Sequence, residues 1–219
     1  MKSTRARGRL PPASTVAFLL ALSCLFNGCF SGATFQTPVP VPTDEYAPGF
    51  GFTVIPEKGP APFPELSLRT GFLKNADVGI KVTGYPVRMG GCSADFKVRL
   101  VERPVSLAVV LGGTLLRIER GEISDDQLDL QPLGEVDTYI CPYGMLILGG
   151  DHYYFGVKSM TLLSYWYDDE QIPAVFLGFS VGGQDRILPE ITYIFQGQDK
   201  PIVLVGLGFQ WNLKHPATP

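Results

Sequence analysis

From about Gly49 to Leu213 apolar and polar residues alternate with a period of two, and the i, i+3, i+4, i+7 spacing of a helix surface is almost absent. Such alternation divides the side chains of an extended strand between its two faces. In Cys92 to Val101, Cys92, Ala94, Phe96, Val98 and Leu100 share one face, and Ser93, Asp95, Lys97 and Arg99 the other. The last stretch sets Val203, Val205, Leu207, Phe209, Trp211 and Leu213 against Gly206, Gly208, Gln210 and Asn212. Leu66, Leu68 and Phe72 oppose Glu65, Ser67 and Arg69, while Val78, Ile80 and Val82 oppose Gly79, Lys81 and Thr83. Near the end, Ile187, Ile191, Tyr193 and Phe195 oppose Arg186, Glu190, Thr192 and Gln196.

Gly, Pro, Asn and Asp divide this pattern into ten predicted strands, near 50–55, 65–73, 78–84, 92–101, 104–118, 137–149, 153–166, 172–182, 186–196 and 201–213. An even number is what a closed antiparallel barrel with both ends on one side requires. The connections 56–64, 85–91, 119–136, 167–171 and 197–200 then fall at the far end, and 74–77, 102–103, 150–152 and 183–185 at the end where the chain enters. Tight turns at one end and longer loops at the other are the asymmetry of an outer-membrane barrel. The expected fold is all-β, an antiparallel up-and-down transmembrane β-barrel of about ten strands. Eight is the alternative, because 50–55 and 78–84 are shorter than the ~9–11 residues of a tilted crossing.

A soluble sandwich or lipocalin-like barrel alternates as well, but with its charges in water and its apolar face inward. Tyr139, Tyr143, Tyr153, Tyr154, Tyr165, Trp166, Tyr167, Phe209 and Trp211 cluster near strand ends, as an interfacial girdle would, and favour the membrane form. Glu65, Arg69, Lys81, Asp95, Lys97, Arg99, Lys158, Arg186 and Glu190 are then expected in the lumen. Both signs are present, so they are expected to form a salt-bridged plug, the alternative being a slender conduit lined by basic groups.

Ahead of the strands, Lys2, Arg5, Arg7 and Arg9 precede an apolar stretch from Val16 to Leu25 and then small residues, the order of a secretory signal over 1–28. Removing it takes the formal net charge from −3 to −7, which argues against nucleic acid as a partner. Residues 29–48, with Pro38, Pro40, Pro42 and Pro48, suit neither helix nor central strand and read as an extended tether. The barrel domain follows over 49–213, and 214–219 form a tail. Cys92 and Cys141 are the cysteine pair in the body of the chain. Both fall at far-side strand ends in this topology, where they either bridge in an oxidising compartment or stay as buried thiols.

The run PELSLRTGFLKNADVGIKVTG, followed by ADFKVRLVE and the closing PEITYIFQ and VLVGLGFQWNL, is similar to a broad group of bacterial outer-membrane β-barrel proteins, many of them lipoproteins. The matching elements are Pro64 to Gly71 and, after a tight turn, Asp77 to Ile80. The resemblance covers about 50–213. It implies outer-membrane lipid, barrel-assembly machinery and lipoprotein-sorting machinery as partners, and no activity. Unlike a typical member, the chain runs on past its last strand through Lys214 to Pro219. Gly28 before Cys29, with Leu25 upstream, resembles a bacterial lipobox, which implies Cys29 as a diacylated N-terminus. Phe30 in place of Asp behind it implies an outer-membrane destination by the same analogy. Cys24 is a second candidate, and plain cleavage after Ser31-Gly32-Ala33 the alternative.

Little points to catalysis. The two histidines are His152, in a turn, and His215, in the tail, and the chain has no Gly-x-Ser-x-Gly, phosphate loop or His-Glu-x-x-His. Glu122, Asp125, Asp126 and Asp129, and Asp168-Asp169-Glu170, read as solvated loops whose spacing matches no calcium loop. The expectation is a monomeric, non-enzymatic barrel lipoprotein of the bacterial outer membrane, without cofactor or metal. A periplasmic lipocalin-like lipoprotein holding an apolar ligand is the alternative, with an envelope lipid-modifying enzyme third.

Overall fold

A computed structural model describes residues 33–56, 62–84, 89–119, 136–163, 170–183, 185–195 and 201–214. Its elements are strands: β1 (Glu45–Val54), β2 (Phe63–Leu73), β3 (Ala76–Gly84), β4 (Met89–Val101), β5 (Ser106–Glu119), β6 (Val136–Gly149), β7 (Tyr153–Leu162), β8 (Glu170–Phe179), β9 (Val181–Gly182), β10 (Asp185–Ile194), β11 (Ile202–Trp211) and β12 (Leu213–Lys214). Leaving aside the two-residue β9 and β12, ten strands pair antiparallel, each with its sequence neighbour, and β11 returns to β1. The barrel is closed and up-and-down, as the alternation predicts. β1 and β3, short in the sequence reading, have 10 and 9 residues, enough for a tilted crossing.

Strand β1 begins inside the stretch expected to be tether. Pro48 is accommodated because the ladder on one side breaks there: β1 pairs β12 at Glu45 and Tyr46 and resumes with β11 at Gly49. Proline has no N–H to give such a ladder. At the entry end, the turns after β2, β4 and β6 span only 74–75, 102–105 and 150–152. Gly182, with φ +118, closes the turn before β10, where a methyl would meet the Asp185 carbonyl at 2.1 Å. The far-end connections run from 85–88 to 120–135 in length.

Facing follows the pleat. Phe96 and Val205 are 37% and 40% exposed on the outside, whereas Glu65 and Lys97 are 2% exposed on the inside. Leu66, Ile80, Leu111, Leu146, Val157, Leu177 and Ile191 continue the exposed apolar surface around the barrel. Outward aromatics mark both ends, with Phe72, Tyr153, Phe179 and Trp211 exposed at the entry end, where Tyr153 pairs with Phe179, and Tyr193 and Phe195 exposed at the far end. The girdle expected from the sequence is only partly of this kind. Tyr143 and Tyr154 are buried in the lumen, Tyr139 packs beside them, and 165–167 lie outside the described residues.

The inner face is not uniform. Strands β5 to β8 turn Val110, Met145, Ile147, Tyr154, Met160, Ile172 and Phe176 inward as an apolar wall. Apart from Lys158 on β7 and Ser106 and Thr114 on β5, both faces of these strands are apolar, and their alternation of charge is largely lost.

The expected Cys92–Cys141 bridge is absent: both thiols are free. Cys92 sits beside outward-facing Leu115 and Cys141 beside inward-facing Thr114. The whole of β5 stands between them, a separation of about 10 Å at ~4.8 Å per strand, and they point to opposite faces. A shared rim does not bring the thiols together, because strand parity sets which face each one takes. We expect a thiol reagent added to the denatured, unreduced protein to label both residues by peptide mapping; a Cys92–Cys141 cross-linked peptide would contradict the register.

Candidate functional site in the barrel lumen

Inward positions of β2, β3 and β4 carry ionised side chains because every second residue there is charged, small or hydroxylic. Asp77, completely buried, is the hub. Its Oδ1 accepts hydrogen bonds from Arg69 Nε at 3.1 Å and from Arg69 Nη2, and its Oδ2 lies 3.1 Å from Lys97 Nζ. Arg69 also reaches Asp95 at 2.7 Å, and Gly79 leaves the space its guanidinium crosses. Farther along, Lys81 pairs with Glu65 at 3.1 Å, and Glu65 accepts from Thr53 Oγ1. Lys158 lies over the Tyr143 ring at 4.8 Å, and Tyr143 donates its hydroxyl to Asp95. Burying charges is costly unless each meets a partner, and in this network four carboxylates (Glu65, Asp77, Asp95, Glu190) accompany four cations (Arg69, Lys81, Lys97, Lys158).

Between this ionic wall and the apolar one runs the stretch read as a tether. It is extended, as its prolines dictate, but it lies inside the barrel, and Ala33, Thr34, Gln36, Thr37 and Val41 are buried. Its backbone groups are met by wall side chains. Lys81 donates to the Ala33 carbonyl at 2.7 Å, and Glu190 accepts from the N–H groups of Thr34 and Phe35 at 2.5 and 2.9 Å. Lys97 donates to the carbonyls of Thr37 and Val39, and Asp77 accepts from the Val41 N–H at 2.8 Å. Gln36 donates to Asp95, and Arg186 reaches the Thr37 hydroxyl. From Val41, beside the entry-end turn of β2 and β3, the segment climbs to Ala33 beside Lys81.

Phe35 is the one large side chain in it. Its ring lies on Gly51, Gly206 and Gly208, where an added methyl would come within 2.7, 2.6 and 2.9 Å of ring atoms. Its φ of +46 is a conformation non-glycine residues rarely hold unless the surroundings fix it. Here those are Glu190 on its N–H and the glycine bed under its ring. Glu190 also accepts from Tyr154 and Thr192, both at 3.0 Å. Beside Phe35 and Gln36 there is a space of about 30 Å³, room for one or two waters.

The nine side chains predicted to be lumenal, Glu65, Arg69, Lys81, Asp95, Lys97, Arg99, Lys158, Arg186 and Glu190, all project inward. Two of them stand at the entry end, where Arg99 pairs with Glu102 at 3.3 Å and Arg186 donates to the Gly183 carbonyl. Asp77 was not singled out, although it is two residues before Gly79 and so shares the face of Lys81. The sequence pattern puts Tyr143 and Tyr154 in the outer girdle, whereas the structure turns both inward. Cys29, the acidic loop 122–129 and Asp168-Asp169 lie outside the described residues, and Glu170 opens β8. The chain matches no protein-family model and no curated protein sequence.

Removing Asp77 would leave Arg69 and Lys97 buried without their shared counter-ion. Asp77→Ala should therefore lower stability by about 3–5 kcal/mol. Arg99→Ala, whose partner Glu102 is exposed, should cost about 1 kcal/mol or less. Urea unfolding of both variants in detergent micelles checks the contrast, and equal losses would refute the hub role of Asp77.

Proposed function

We propose that this chain is an integral β-barrel protein of a bacterial outer membrane, with a structural or narrow-pore role and a lumen closed in the state described. The observation that carries this reading is the inversion of the usual facing: apolar side chains exposed all around the outside, paired ions within. A strand of ten residues at ~3.3 Å each and a tilt of about 40° rises roughly 25 Å, the height of the apolar band of such barrels. An exposed apolar surface of that extent is disfavoured in water and stable against hydrocarbon. Its outward aromatics at the entry end suit an interfacial girdle, and the export signal suits the destination. Acylation at Cys29 would add about 0.8 kcal/mol per buried methylene, a supplement to insertion rather than its cause. An apolar ligand of the lipocalin kind would need the space that Ala33–Val41 fills.

Leu111 and Ile191 stand near the middle of β5 and β10 and face outward. Leu111→Arg and Ile191→Arg should each cost about 2–4 kcal/mol of insertion if they meet the bilayer midplane. Refolding into phospholipid vesicles, followed by heat-dependent migration on a denaturing gel, reads this directly. Wild-type assembly of both variants, or a wild-type chain that yields no heat-modifiable, protease-protected form, would sink the membrane reading.

A further inference from the structure

We propose that the lumen is a built binding site for one extended, proline-rich peptide, that its occupant is the chain's own segment Ala33–Pro42, and that the vacated site is the water path through the barrel. The second half rests on the membrane reading above; the first does not.

The segment is held as a ligand is held, not as a strand. No β-ladder joins it to the wall. Instead, side chains from three strands address its main chain in turn: Lys81 and Asp77 on β3, Lys97 on β4 and Glu190 on β10, while Arg69 on β2 fixes Asp77. These contacts read backbone N–H and C=O positions. Pro38, Pro40 and Pro42 lack an N–H, so the segment has few donors left to satisfy and a low entropy cost of staying extended. Sequence is read mainly at Phe35. Gly51 on β1 and Gly206 and Gly208 on β11 together form a flat bed that any larger residue would fill. Across from that bed, Asp95 on β4 takes the Gln36 amide at 3.1 Å.

Without the segment, this bed and the ionic wall face each other across open space. Glu190 would lose two of the four hydrogen bonds it accepts here, and Lys97 its two carbonyls. Both are groups that water can solvate. The vacated lumen would thus be wettable along β2, β3, β4 and β10, which is what a conducting path needs and what the apolar wall of β5 to β8 alone would not provide.

The test uses the full chain lacking Ala33–Pro42, refolded into micelles and vesicles, and a synthetic peptide of residues 33–42. In micelles, a fluorescently labelled peptide should bind the deletion variant and not the wild type. A peptide carrying Phe35→Ala should bind roughly tenfold or more weakly, the loss expected for one buried aromatic ring. In planar bilayers the deletion variant should conduct, the wild type should be silent, and added peptide should close the open channel. Peptide that fails to bind a folded deletion variant overturns the binding site, whatever the membrane result. Peptide that binds a silent deletion variant in bilayers overturns the water path and leaves the site. A wild-type chain that does not insert fails the membrane reading separately. If the deletion variant does not fold, full-length chain with both Phe35→Ala and Gln36→Ala decides: brief openings absent from wild type support the proposal, and unbroken silence overturns it.

Discussion

The width of a ten-stranded barrel is the constraint from which the rest of the structure follows. Eight strands enclose an interior that side chains just fill, and two more, at ~4.8 Å spacing, widen the backbone cylinder by roughly 4 Å across. That is too wide to pack with wall side chains alone. It is also too narrow for a folded domain. A single extended strip of backbone fits the difference, and the residues before β1 supply one.

Filling the lumen with backbone creates a second demand, because peptide groups away from water must be paired. A strand would pair them by joining the sheet, but the sheet is closed and has no edge to offer. The wall answers with charged side chains, and the charges then need partners of their own. Hence the chain of contacts from Lys97 to Asp77 to Arg69 to Asp95, in which each member is held both by its neighbours and, for Lys97, Asp77 and Asp95, by the segment. The opposite wall meets none of the segment's peptide groups and, Lys158 aside, is largely apolar. Lumen polarity here is a division of labour between walls.

Much of this was legible in the sequence, in a particular way. Strand number, closure and facing follow from period-two alternation, which is a local property, and β4 displays it residue by residue. Where both faces are apolar, as in β5 to β8, the pattern marks strands but cannot say that the lumenal side is greasy. The cysteines show a different limit: rim position is visible in a strand list, but Cys92 and Cys141 are kept apart by parity and by the strand between them. The seat of the segment is hidden in the sequence for a deeper reason. A proline-rich stretch of small residues has the composition of a linker, and nothing local distinguishes a solvated one from one held by Glu190, some 155 residues onward. Its seat was faintly written in the glycines alternating at 49 and 51 and at 206 and 208, all on the inner face of adjoining strands.

Those glycines lie at the junction where the first and last strands meet. Gly49 pairs with Gln210, and Gly51 with Gly208, so this seam joins the most distant parts of the chain. Its loop-closure cost is the largest among the strand pairings, because the longest stretch of chain lies between its partners. Its inner face carries glycine at 49, 51, 206 and 208, and its ladder is interrupted at Pro48. Phe35 lies across it from within, like a batten over a joint between planks. The strip that occupies the middle is consequently also what backs the closure.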